Sequence, residues 1–186
     1  MSFTNPAGAA AKLAAPAYVK SLLDVLGSRD PFDVMAQQES ATRGALSGVA
    51  GEALRRPEAP GKWSLLQVVR HLVDTEVVYG YRVRLTVAEN HPRIPGYDQD
   101  LWATRLHYHE ASPADALDEL ACLRRMNLRF YRVLDDGERK RSGLHDERGE
   151  ESVEKIIRML AAHDLVHRRQ LQRIRGALGL PATESP

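Results

Sequence analysis

The sequence is short of sulfur: Cys122 is its only cysteine, which excludes an intrachain disulfide and any zinc site built mainly from thiolates. It also lacks an excess of charge. Twenty-six Lys and Arg against 25 Asp and Glu leave a formal net charge of +1, which argues against a nucleic-acid binder working by bulk electrostatics. No apolar run approaches the roughly 20 residues of a membrane span. No useful stretch alternates apolar and polar residues, so a sheet is not expected. Residues 1–16 are rich in alanine and proline but lack the basic start and apolar centre of a signal peptide. These absences leave a cytoplasmic protein with neither membrane nor nucleic acid as partner.

What is present is helical periodicity. At 186 residues the chain can bury a core as a single domain. Residues 1–15 read as a flexible leader, 16–180 as one helical domain and 181–186 as a tail. A short helix over 18–26 stops at Gly27, and Asp30-Pro31 opens a second helix reaching about Val49. Ser64 and Gln67 form a capping-box pattern for a long helix to about Glu89. Residues 91–98 form a loop, followed by a short turn around Trp102. Ser112-Pro113 starts a further helix to about Leu134, residues 135–150 form a loop, and a last helix runs from about Glu151 to Leu178. The fold class is all-α: a four-helix bundle with an additional short N-terminal helix.

On this frame the histidines sort themselves. His163 and His167 are four residues apart, so their imidazoles leave one helix face together. Both fall on an apolar stripe, and so does His71 on another helix. Buried imidazole nitrogens need partners. Either these are hydrogen-bonded core histidines, or one metal ion satisfies all three. Neutral imidazoles suit zinc, nickel, copper or ferrous iron, and three protein ligands leave a coordination position open. Asp74, three residues after His71, is either an acceptor behind an imidazole, a proton acceptor or a solvated helix acid. Arg82 is either an anchor for an anionic substrate group or an ordinary surface arginine. His91, His107, His109 and His145 fall in loops or at helix edges and read as exposed. Cys122 reads as a small buried residue.

Three stretches carry a resemblance: residues 63–76, Trp-Ser-Leu-Leu-Gln through His71 to Glu76; residues 94–103, Ile-Pro-Gly-Tyr-Asp-Gln-Asp-Leu-Trp-Ala; and residues 161–170, around His163 and His167. In order and spacing they resemble the DinB/YfiT-like family of metal-dependent proteins. The resemblance implies a four-helix bundle with a divalent metal, nickel or zinc, held by His71, His163 and His167. It further implies a transferase joining a low-molecular-weight thiol to an electrophilic small-molecule substrate. The alternatives are a metal-dependent hydrolase on the same scaffold and a non-catalytic metal-binding stress protein. A homodimer paired through a helix face is the expected assembly.

Overall fold

The computed structural model describes residues 9–183. Helix α1 spans Ala9–Leu26, α2 Pro31–Ala36, α3 Gln38–Leu46, α4 Leu65–Ala88, α5 Gln99–Arg105, α6 Pro113–Val133, α7 Asp136–Lys140 and α8 Val153–Ala177; β1 is Arg93–Ile94, β2 Ser142–His145 and β3 Gly149–Ser152. Helices α4, α6 and α8 pack together, and the pair α2–α3 closes the bundle between α6 and α8. Helix α1 lies on the outer side of α8.

Most helix starts are local chemistry. Ser64 accepts from Gln67 N while the Gln67 side chain returns to Ser64 N, completing the capping box that opens α4. Asp30, Ser112 and Ser152 cap α2, α6 and α8 with side-chain oxygens, and Pro31 and Pro113 occupy the first turns. Gly27, at φ +60°, ends α1 in the left-handed region.

Three expectations need correction. The N-terminal helix is not short: it begins at Ala9 and takes up residues 9–15 of the expected leader, in keeping with alanine's helix propensity. Residues 1–8 of that leader and 184–186 of the tail lie outside the described residues. The second helix is broken at Gln37, where the Arg168 guanidinium from α8 donates to Val34 O and Gln38 Oε1. Finally, the region contains a small sheet, ordered β1-β2-β3, with β1 parallel to β2 and β2 antiparallel to β3. Gly143 allows the close approach of β1, since a Cβ there would stand 2.7 Å from Pro92 O. Ile94 lies opposite His145 in this register.

The apolar core comes in two clusters. One gathers Leu65, Leu66, Val69 and Leu72 of α4 with Leu117 and Leu120 of α6 and Leu171 and Ile174 of α8. The other gathers Tyr79 and Val83 of α4 with Leu128 and Tyr131 of α6 and Ile156 to Ala162 of α8. Between them runs a buried polar layer, made of His71, Asp74, Thr75 and Glu76 of α4, Arg124 and Asn127 of α6, and His163, Asp164, His167 and Arg168 of α8. The candidate site lies in this layer.

Candidate metal centre

Helices α4 and α8 bring the three histidines together. His71 is fully buried, and His163 and His167 are buried beside it. His163 Nε2 is 3.0 Å from His71 Nε2 and 3.0 Å from His167 Nε2. One ligand nitrogen from each lies within 4.8 Å of the others. Burial pulls the pKa of all three imidazoles down, with neighbouring histidines adding to the effect at His71 and His163; His167 falls to about 4. The rings are therefore neutral at pH 7, as ligands must be.

The tautomers favour a shared cation. Gln170 Oε1 is 2.7 Å from His167 Nδ1, so Nδ1 carries the proton and the Nε2 lone pair faces inward. His163 Nε2 has a nitrogen on either side, and one N–H serves only one such contact in full. A cation among the three serves every lone pair, and 3.0 Å is a spacing that two imidazole nitrogens can take when both bind an ion at about 2.0–2.1 Å. His71 Nδ1 and His163 Nδ1 have no hydrogen-bond partner. Only His167 has the outer hydrogen bond that fixes a ligand ring.

A cavity of about 410 Å³ opens on His163 and His167, bounded also by Tyr18, Trp63, Gln170 and Arg173. Its size is that of a small-molecule pocket. The Trp63 ring lies 4.9 Å from the His71 ring and closes that flank. Thr75 Oγ1 is 3.4 Å from His71 Nε2, which puts a buried hydroxyl beside that ring. Thr75, Tyr79, Trp63 and Gln170 have functional positions that sequence reasoning missed. A signal existed for two of them: Thr75 and Tyr79 follow His71 at intervals of four, on the same helix face.

The other candidates separate. Asp74 neither orients an imidazole nor faces solvent: it is buried, accepts the Tyr108 hydroxyl, and lies 3.9 Å from Arg70. Arg82 is 2% exposed, not a surface arginine. His145 is buried, contrary to expectation, because it ends β2 against β1. Its Nδ1 accepts from Glu147 N and Arg148 N. His91, His107 and His109 are exposed as expected. Cys122, expected to be buried, is exposed on α6, opposite the face that carries Leu120 and Arg124.

Known proteins similar to this chain share its helical-bundle fold and are named for dependence on a metal. The model of the DinB superfamily matches residues 35–171, and the chain belongs to that superfamily. YfiT of Bacillus subtilis, named as a candidate metal-dependent hydrolase, is 27% identical over 117 residues, covering 61% of this chain and 64% of that protein. OB0782 of Oceanobacillus iheyensis, named in the same way, is 30% identical over 108 residues, covering 58% of this chain and 62% of its own length. The chain thus spans less than two thirds of the length of these relatives. The solved structure of Bacillus subtilis YfiT, described as having an unusual four-helix bundle topology, matches with a TM-score of 0.71 at 21% identity. It covers 97% of this chain and 95% of that one, and so shows the fold.

Proposed function

We propose that the chain is a metal-dependent hydrolase of a small-molecule substrate, holding one divalent ion, zinc or nickel, on His71, His163 and His167. The observation that carries this reading is the meeting of three buried, neutral imidazoles through their Nε2 atoms at the wall of a cavity. An ion with three such ligands keeps a position open and lowers the pKa of a water bound there. The chain's own residues do the rest. Gln170 holds the His167 ring in its ligating tautomer, Trp63 and Tyr18 wall the cavity, and the Thr75 hydroxyl stands beside His71 Nε2. The names of the relatives support hydrolysis over the transfer of a low-molecular-weight thiol.

The test is metal analysis of protein purified without an affinity tag, followed by turnover of an ester and amide panel with and without added thiol. One ion per chain is expected in the wild type, with none in His163→Ala or His71→Gln. Chelation should lower the melting temperature by about 5–10 °C, the effect of losing a ligand present at 100 times its Kd. Cleavage without thiol supports the reading, and product only with thiol reassigns the chain to thiol transfer. Stoichiometric metal with no turnover in either arm makes the centre non-catalytic, and wild-type protein without metal overturns the site.

A further inference from the structure

Of the buried polar groups that the triad does not use, Arg82 carries a charge without a carboxylate partner. This guanidinium is 2% exposed, yet among the described residues no carboxylate forms an ion pair with it. Its Nη2 donates to Pro95 O at 2.8 Å, and the rings of Tyr79 and Tyr97 lie 5.3 and 5.8 Å from its Cζ. Its Nε is buried with no partner. A second buried donor stands nearby. His145 Nδ1 accepts two backbone N–H groups, so its proton sits on Nε2, which also has no partner. Proximity follows from the strand register: His145 pairs with Ile94, and Pro95, which holds Arg82, is the next residue.

Charge in this compartment does not cancel. Arg148 takes up Glu151 through a two-point contact at 2.7 and 2.8 Å, so that carboxylate is not spent on Arg82. A buried cation with no counterion is costly, so a group that supplies one binds there with advantage. The empty edge also specifies the shape of that group. Arg93, Arg148 and Arg173 each clasp a carboxylate of this chain through Nε and Nη2 together. In Arg82 the same edge has Nε free and Nη2 half used, and the planar fork matches a carboxylate. Tyr79 connects this edge to the metal centre, its ring 6.4 Å from that of His163.

We propose that the Nε edge of Arg82, with His145 Nε2 beside it, is a carboxylate-binding subsite, and that the substrate turned over at the triad carries a carboxylate. The second clause rests on the function proposed above, whereas the first does not. Tyr79 stands between Arg82 and the triad, its ring 5.3 Å from Arg82 Cζ and 6.4 Å from the His163 ring, which puts the subsite one side chain away from the triad. A substrate with its acid group here presents the other end to the histidines.

The test uses succinate, with succinamide as its neutral counterpart, titrated into metal-free and metal-loaded protein. The readout is the side-chain Nε–H signal of Arg82 in a nitrogen–proton NMR spectrum, with calorimetry for affinity. Saturable binding of succinate but not succinamide is expected in both forms, weakened about tenfold or more in Arg82→Gln and less in Arg82→Lys. Arg132→Gln, which removes an exposed arginine, should change nothing. Equal binding in Arg82→Gln, no saturation by succinate, or saturation by inorganic phosphate alone overturns the subsite. If Arg82→Gln proves unfolded, His145→Gln in the same titration decides, with several-fold weakening expected and unchanged affinity counting against the subsite. Carboxylate binding without turnover leaves the subsite standing and refutes only the hydrolase.

Discussion

Among the arginines buried in this bundle, Arg124 and Arg82 are treated oppositely. Arg124, 4% exposed, reaches Asp164 through Nη1 and Nη2 at 2.7 and 2.9 Å and Glu76 at 2.7 Å. Asn127 adds a bond to the Glu76 carboxylate at 2.9 Å. The guanidinium charge sits between two carboxylates from two other helices, tying α4, α6 and α8 together. Arg82 has a carbonyl and two aromatic rings but no ion pair. Each leaves its Nε unpartnered, so the difference is not tidiness of hydrogen bonding but charge compensation. A compensated buried charge holds the fold in one arrangement. Arg175, 3% exposed, has no ion pair among the described residues but spends its donors on the carbonyls of Pro181, Ala45 and Ser47, whereas Arg82 reaches one carbonyl and keeps a donor edge that a further acceptor can complete.

The sharpest way to break this comparison is substitution at the two arginines. Arg124→Met strands two buried carboxylates and should lower stability in urea unfolding by about 3–5 kcal/mol. Arg82→Gln removes a carbonyl bond but also relieves a buried cation. Without ligand its unfolding free energy should stay within about 1 kcal/mol of the wild type. Similar losses at both positions would refute the distinction.

Acid probes the same compartment through His145. Burial, with Arg148 and Arg82 adding to it, holds its pKa at about 3 against an ordinary 6.5. Below pH 6.5 the unfolded chain takes up a proton that the folded chain refuses. Stability from this group is thus lost as pH falls from 6.5 toward 3, with a slope of up to about 1.4 kcal/mol per pH unit. His145→Gln should flatten the metal-free stability profile in that window, and an unchanged profile would show that His145 titrates normally.

The smallest effect belongs to the ring that is already well held. Gln170→Ala should weaken metal affinity about tenfold by freeing the His167 tautomer. Metal-free stability should stay unchanged, as read by competition with a chromogenic chelator.

How much of this was legible in the sequence depended on whether the cause was local. Ser64 with Gln67, Ser112 with Pro113, and Gly27 each act within one turn, and the helix ends they set are where the pattern puts them. The triad was legible because its three members share apolar stripes. The break at Gln37 was not, because its cause, Arg168, lies 130 residues away at Gln38. The sheet escaped because its strands are two to four residues long, too short for any alternation to register. Its parallel pair rests on two backbone bonds, Leu144 N donating to Pro92 O and Asp146 N to Ile94 O, with Arg93 and Asp146 paired beside them. The burial of Arg82 and His145 depends on that sheet, and was invisible for the same reason. Periodicity had put Arg82 on the stripe of α4, but its charge argued for the surface.

The two spans within the triad differ greatly in chain length. His163 and His167 are four positions apart, whereas His71 and His163 are 92 apart. The short pair needs nothing but a helical turn, so any transient helix in the unfolded ensemble presents it. The third nitrogen arrives only when a loop of nearly half the chain has closed and α4 has docked on α8, the slow and entropically expensive part of reaching this topology. The complete three-nitrogen site therefore belongs to the native state alone. It turns the completion of the fold into a chemical property: an ion there would cross-link segments 92 positions apart in a chain with no second cysteine.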